Sequence, residues 1–253
     1  MNSNSKEPTV IITGGNKGIG LGISECFARA GYNVFVGARE DTGVSSTLGD
    51  KVRFVKTDVR MEQDHIDLVS SAVNETGRLD VYINNAGLSG WKPIGEIDDD
   101  FLDHLIDTNL KSVIWGCKAA ASFMIEGTSI INISSLAGKR GSTNNTVYCA
   151  TKFAVNGITQ SLAKELGPKG IRVNALCPVL VSTPGLLDAL SEKYAPGVGG
   201  AEEFIDNFRK GNAALGRLPM ASEVGDTAVY LASELASAIT GQCINVDCGV
   251  LPQ

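Results

Sequence analysis

Short apolar runs alternate with longer amphipathic stretches along the whole chain. "TVIIT" (9–13) and "NVFVGA" (33–38) are rich in β-branched and aromatic residues, too short for buried helices, and read as strands. "VRFVKT" (52–57), "LDVYINN" (79–85), "SIINIS" (129–134), "IRVNALC" (171–177) and "CINV" (243–246) repeat the signal. Helical stretches separate them: one follows the first strand as far as Gly31, and another fills 62–76. Buried strands that alternate with helices predict a parallel sheet covered on both faces. The expected fold is α/β, a single doubly wound Rossmann-type domain over 1–253, with no repeat and no linker. Residues 1–7 are a polar tail. The rhythm breaks at 178–216, which holds Pro178, Pro184, Pro196 and "PGVGG" (196–200). A proline- and glycine-rich stretch after a strand predicts a mobile flap with short helices, placed over a substrate site.

Composition narrows the class. The 253 residues are 43% hydrophobic, enough for a large core. No apolar run reaches the ~18 residues of a membrane span. "MNSNSKEP" has no basic or apolar leader segment, so a cytoplasmic protein is expected. A net charge of −6 argues against a nucleic-acid footprint or a basic membrane patch. The six cysteines form no CxxC and read as free thiols, mostly buried. Only two histidines occur, His65 and His104. Both stand among acidic residues, read as solvated helix positions, and imply no metal site.

Candidate chemistry begins at "TGGNKGIG" (13–20), between the first strand and first helix. Gly14, Gly18 and Gly20 let the backbone turn tightly and approach a pyrophosphate, which the helix N-terminus attracts. The second strand speaks to the cofactor. NAD-binding folds place an acid at its end for the ribose 2′-hydroxyl. Here Ala38 stands there, followed by Arg39, with Lys17 in the glycine turn; two cations suit a 2′-phosphate, although Glu40 and Asp41 come next. NADP(H) is therefore expected over NAD(H).

"NTVYCATK" (145–152) puts Tyr148 and Lys152 one helical turn apart on one face. A phenol has a pKa of about 10, and lowering it to ~7 takes about 4 kcal/mol. A cation at ~4 Å in an effective dielectric of ~20 supplies that order of energy. Lys152 can thus make Tyr148 a working acid/base, and an oxidised nicotinamide nearby would add positive charge. "SIINISS" ends at Ser134 and Ser135, at the strand end where such sheets bind ligands. Asn109 interrupts an otherwise apolar helical face in "FLDHLIDTNLKSVIWG", as a functional residue or one satisfied by nearby backbone.

Taken in order, "TGGNKGIG", "TDV" (57–59), "NNAG" (84–87), "TNL" (108–110), "SS" (134–135), "YCATK" (148–152), "IRVN" (171–174) and "VSTP" (181–184) resemble the short-chain dehydrogenase/reductase superfamily, in its ~250-residue form, over about residues 8–250. The resemblance implies Tyr148 as acid/base and Lys152 as the group that lowers its pKa and binds the nicotinamide ribose. It implies Ser135 as the residue positioning the substrate oxygen, and Asn109 as holder of a water linking Lys152 to solvent. It places Gly14, Asn16, Lys17, Gly18, Ile19 and Gly20 around the phosphates, and Asp58 and Val59 at the adenine. Asn85, Ala86 and Gly87 would line the cofactor, with Pro178, Val181 and Thr183 at its nicotinamide end. It further implies a homo-oligomer, tetramer or dimer.

Two departures stand out. The family commonly has Pro-Gly where this chain has Pro178-Val179, so a side chain there would press toward the nicotinamide. It often ends "DGG", and here the chain reads "DCG" (247–249). The expected activity is hydride transfer between NADP(H) and a carbonyl/secondary-alcohol pair. "KRGSTNNT" (139–146) offers Ser142, Thr143, Asn144 and Asn145 to the substrate, opposite Trp91 in "LSGWKP" (88–93), which favours a small polar or hydroxylated carbonyl. A 3-oxoacyl thioester, its carrier lying along the flap, is the alternative within the family. A non-catalytic NADP(H)-binding regulator is the alternative from another class.

Overall fold

A computed structural model describes residues 7–252, so of the expected polar tail only Glu7 is included. Seven parallel strands form one sheet: β1 (Thr9–Thr13), β2 (Asn33–Ala38), β3 (Val52–Lys56), β4 (Val81–Asn84), β5 (Ser129–Ile133), β6 (Arg172–Pro178) and β7 (Cys243–Val246). Their order is β3-β2-β1-β4-β5-β6-β7, so the chain reverses its winding direction after β3, between β1 and β4. Ligands bind such sheets at the C-terminal strand ends beside that reversal.

Neighbouring positions on a strand serve opposite faces. Val10 and Ile12 of β1 pack with Ile23 and Phe27 of α1 (Gly18–Arg29) and Val224, Ala228 and Leu231 of α9 (Ala221–Ala232). Ile11 points the other way, toward Leu68 and Val69 of α3 (Glu62–Thr76), Val113 of α5 (Ser112–Ala121) and Val155 of α6 (Thr146–Leu166). Both faces are covered, as the two-sided apolar runs require. The short α2 (Val44–Leu48) lies between β2 and β3, and α4 (Asp99–Ile106) runs into α5 through a π turn at Asp107–Lys111.

Several polar side chains inside this core pair across elements. Asn84 Nδ2 donates to Asn132 Oδ1 (2.9 Å), and Asn132 Nδ2 donates to Thr159 Oγ1 (2.9 Å), tying β4, β5 and α6 together. The buried guanidinium of Arg172 donates to the Leu231 carbonyl (2.5 Å), satisfying the last turn of α9. His65 is a correction to the sequence reading. It is 0% exposed, not solvated. Its Nε2 donates to the Val59 carbonyl (2.9 Å), so Nδ1 accepts from the Tyr82 hydroxyl (2.7 Å). Acidic neighbours in the sequence hid a position of that helical turn that faces the sheet. His104 is exposed as expected. Cys26, Cys117, Cys149 and Cys177 are buried, Cys243 and Cys248 half-buried, and all six are free.

The 178–216 stretch folds into α7 (Pro184–Leu190) and α8 (Ala201–Asn212). Its apolar side packs on Trp91, through Leu190, Ala195 and Tyr194 among others. The C-terminal "DCG" loop packs beneath, where the Cys248 carbonyl accepts from Leu215 N (3.1 Å). Cys248 adopts φ +53°, a left-handed conformation that costs a non-glycine residue about 1 kcal/mol. Cys248→Gly removes that cost at some expense in unfolded-state entropy. We expect it to raise Tm by about 2 °C in a calorimetric scan. A lower Tm would show that thiol packing outweighs the backbone strain.

Candidate active site

The glycine turn joins β1 to α1. Gly14 and Gly18 have φ of +64° and +56°, which side chains resist. A Cβ on Gly20 would lie 2.1 Å from the Gly14 carbonyl oxygen, so the turn closes only with glycine there. Lys17 is the N-cap of α1 and makes no side-chain cap, leaving the first-turn N–H groups for an outside anion. Asn16 Nδ2 donates to the Glu40 carbonyl (3.0 Å), tying the turn to the end of β2. Thr183, the N-cap of α7, comes against the turn: a Cβ on Gly18 would meet its Cγ2 at 3.9 Å. A tight glycine cradle, an uncapped helix start and a flap edge across it fit a dinucleotide pyrophosphate.

At the end of β2, Ala38 is buried and Arg39 exposed. Arg39 opens onto a cleft shared with Lys56, Asp58, Asp64 and Asp67. Asp58 is held below the usual carboxylate range chiefly by hydrogen bonds from Arg60, with a smaller contribution from the Arg39 charge. Lys17 is exposed on the glycine turn. Val59 is buried, and its carbonyl is the one His65 holds. Ile19 and Val181 pack into the core beneath α1.

Asn85, Ala86 and Gly87 follow β4. Thr13 Oγ1 accepts from both Asn85 N (3.0 Å) and Ala86 N (3.1 Å), and Asn85 Nδ2 donates back to the Thr13 carbonyl (2.9 Å). Gly87 lies where two further groups converge: a Cβ there would sit 3.1 Å from Asn109 Oδ1 and 3.6 Å from Lys152 Nζ. Asn109, in the π turn, is 1% exposed. Its Oδ1 accepts from Leu88 N (2.9 Å) and its Nδ2 donates to the Leu88 carbonyl (2.8 Å), so it holds the strand-end loop by both backbone groups.

Lys152 projects from α6 into the sheet edge, where Nζ donates to the Ile133 carbonyl (2.9 Å). Ser134 Oγ donates to the Lys152 carbonyl (3.2 Å) and Asn156 Nδ2 to the Gly138 carbonyl (2.9 Å), pinning the Ser134–Gly138 segment against α6. Ser135 thereby reaches Tyr148 and hydrogen-bonds its hydroxyl. The ionisation differs from the sequence expectation. Desolvation pushes the Tyr148 phenol up from its ordinary value, and the Ser135 hydrogen bond offsets this in part. Lys152 Nζ stands 5.7 Å from the ring centroid, and burial pushes its own pKa down to about 8. Burial wins because Lys152 is out of water and Tyr148 lies half-buried beside it.

The substrate walls also narrow relative to expectation. Ser142 and Thr143 are exposed. The Asn144 carbonyl accepts from Lys92 N (2.6 Å), and its Nδ2 donates to the Tyr194 carbonyl (3.4 Å), so it laces three walls together. Asn145 is buried beside the start of α6. Pro178 is buried at the end of β6. Val179 packs with Leu136, Phe208 and Val250, into a satellite cluster under α8.

Sequence reasoning missed Thr13, His65 and Tyr82. Thr13 was signalled by its place opening the glycine motif. The His65–Tyr82 bond had no local signal, since 17 residues separate the pair.

An open parallel sheet with a glycine cradle and a Ser–Tyr–Lys cluster at its C-terminal edge defines a dinucleotide-dependent redox domain. The family profile described as Enoyl-(Acyl carrier protein) reductase matches residues 14–251. L-2,3-butanediol dehydrogenase of Corynebacterium glutamicum is 34% identical over 95% of this chain and 97% of its own. A single-substitution variant of actinorhodin polyketide ketoreductase, with NADPH, superposes with a TM-score of 0.88 at 32% identity, over 96% and 97% of the two chains. The 3-ketoacyl-(acyl-carrier-protein) reductase of Brucella melitensis, complexed with NADH, gives 0.85 at 30% identity over 97% and 99%. The chain belongs to the short-chain dehydrogenase/reductase family and is an oxidoreductase of the carbonyl/alcohol pair.

The lowered pKa of Lys152 has a measurable consequence. Between about 8 and the ordinary 10.5, the unfolded chain holds a proton that the folded one has lost, so stability rises with pH. Below 8 the full cost applies, on the order of 3 kcal/mol before the bond to Ile133 is counted. Lys152→Met, melted without cofactor, should gain Tm over the native protein at pH 7. That gain should shrink steadily toward pH 10.5. A difference independent of pH would show that Lys152 is not desolvated.

Proposed function

We propose that the protein is an NADP(H)-dependent carbonyl reductase/alcohol dehydrogenase with Tyr148 as acid/base. One observation carries the reading: Ser135 is hydrogen-bonded to Tyr148, and Lys152 and Asn109 meet over Gly87 at the same strand ends. The nicotinamide supplies the hydride in reduction and takes it in oxidation. Ser135 and Tyr148 both hydrogen-bond the substrate oxygen. The raised pKa keeps the phenol protonated near neutrality, ready to give its proton as charge builds on that oxygen. Lys152 holds the ribose, and with Asn109 lies on the route by which the proton is replaced. Gly14, Asn16, Lys17, Gly18, Ile19 and Gly20 form the phosphate cradle. Asp58 and Val59 border the adenine. Asn85, Ala86 and Gly87 floor the cofactor cleft, and Pro178, Val181 and Thr183 close its nicotinamide end under the 178–216 flap. No membrane-spanning helix occurs among the described residues. We place the protein in the cytoplasm as a homo-oligomer; half-exposed Ile114 and Phe153, on α5 and α6, supply apolar surface for such contacts.

The favoured substrate is a small polar or hydroxylated carbonyl, the chemistry of the butanediol dehydrogenase relative. A 3-oxoacyl thioester is the second reading, supported by the ketoreductase neighbours. Tyr148→Phe should lower kcat at least a thousandfold while cofactor affinity, read by protein fluorescence, changes little. A variant that kept a tenth of native turnover would overturn the acid/base assignment and leave a non-catalytic regulator to be considered.

Cofactor choice rests on Arg39, whose fork of donors matches a 2′-phosphate, and on Lys17, with Ala38 in place of an acid. Ala38→Asp with Arg39→Leu should reverse the preference toward NADH by at least tenfold in kcat/KM. Equal native kcat/KM for NADPH and NADH would remove the preference, and the NADH-bound neighbour makes that comparison decisive.

A further inference from the structure

Asn109 enters the site from a π turn, a form that recurs at functional sites. Leu88 makes two bonds to its carboxamide: the Leu88 N–H donates to Oδ1 (2.9 Å), and the Leu88 carbonyl accepts from Nδ2 (2.8 Å). A third bond runs to α6, where Nδ2 donates to Thr151 Oγ1 (3.4 Å). Thr151 is 2% exposed and directly precedes Lys152.

The direction of these bonds carries information. A threonine hydroxyl has one hydrogen to give. Thr151 gives it to the Tyr148 carbonyl one turn back, at 2.7 Å. Its oxygen can then only accept, so the atom of Asn109 that faces it must be the amide nitrogen. The amide oxygen is thereby turned to the other side. There a Cβ on Gly87 would lie 3.1 Å from Asn109 Oδ1 and 3.6 Å from Lys152 Nζ, so both atoms border one small space over Gly87. An amide oxygen at that space favours the Lys152 ammonium, and an amide nitrogen would oppose it. Leu88 selects the same orientation, but it lies on the loop after β4. Thr151 lies on the helix that carries Tyr148 and Lys152, so its bond sets Asn109 in register with the reacting groups themselves.

Resting on the proposed carbonyl reduction, we infer that Thr151 is a positioning residue for the replacement of the Tyr148 proton. Its hydroxyl, committed to the Tyr148 carbonyl, holds the Asn109 carboxamide with the oxygen toward Lys152. The proton that the phenol gives up is restored from solvent past these two groups. A valine at 151 keeps the shape but leaves Asn109 Nδ2 with an unmatched hydrogen in a buried place, and the amide is free to turn.

The test follows reduction of 3-hydroxybutan-2-one or an acetoacetyl thioester at saturating NADPH, with the probe that the native protein turns over faster. Thr151→Val should lower kcat about tenfold, the loss expected for one unmatched buried donor. NADPH affinity, read by protein fluorescence, should change less than about twofold. Thr151→Ser, which keeps the hydroxyl, should regain most of the rate. Without the oxygen facing it, the Lys152 ammonium is harder to keep. The alkaline limb of the kcat profile in Thr151→Val should therefore move to lower pH, by about half a unit. The decisive comparison is made in Asn109→Ala. There Thr151→Val should cost less than a further factor of about two, because Thr151 acts through Asn109. A residue that only packs α6 costs its full tenfold in both backgrounds, and that result overturns the assignment. So does a native-like kcat in Thr151→Val, or an alkaline limb that stays in place. If Thr151→Val does not fold, Thr151→Ala is compared in the same two backgrounds with the same outcomes. Any of these failures in a protein whose native form reduces the probe removes the role of Thr151 and keeps the reductase reading. A native protein that reduces neither probe defeats both.

Discussion

The bond from Lys152 Nζ to the Ile133 carbonyl sets the geometry on which the site depends. It carries an ammonium group out of water to the end of β5, and burial lowers its pKa to about 8 in the process. With that atom fixed, the helix repeat places Tyr148 one turn away along the same face. The segment after β5 is then held against α6 by Ser134 and Asn156, and Ser135 arrives at the phenol. The Asn84–Asn132–Thr159 ladder repeats the tie deeper in the core. A polar spine between β4, β5 and α6 is satisfied at each link, which is why it can be buried.

The cofactor end relies on a different constraint, close backbone approach. Gly20 under the Gly14 carbonyl draws the start of α1 onto the end of β1, so its free N–H groups point into the crevice beside the winding reversal. Thr13 carries the same order across to β4 by binding two successive amides there. His65 does this for the 57–59 turn: its neutral ring, kept so by burial, bridges Tyr82 and the Val59 carbonyl. Buried hydrogen bonds of Thr13 and His65 thus set the positions of residues proposed to bind the cofactor.

The two departures from the family pattern find physical places. Val179 gains an apolar pocket under α8 with Leu136, which follows Ser135 directly. Its side chain therefore joins the flap to the segment that carries Ser135. Cys248 accepts a left-handed conformation in the loop that receives Leu215, trading backbone strain for contact with the end of the flap.

By itself, the sequence determined the fold and the ingredients of the site. "TVIIT", "NVFVGA", the 62–76 helix and "CINV" fall on the observed bounds, and the other strands shift by one or two residues at their ends. Apolar periodicity is a local property, and it is the same quantity that burial enforces. The glycine turn and the Tyr148–Lys152 spacing were legible for the same reason, being set by residues within one turn of each other. Only the tertiary structure decided ionisation and pairing. The phenol lies above its ordinary pKa because desolvation depends on every element packed around it. His65 is buried because α3 turns that position toward Tyr82. Of four polar residues equivalent in sequence, Ser142 and Thr143 face water, Asn144 binds the flap, and Asn145 keeps an unmatched oxygen. Which of several chemically alike groups is left without a partner depends on contacts 50 residues apart in the chain, such as Asn144 with Tyr194, and no local pattern encodes them.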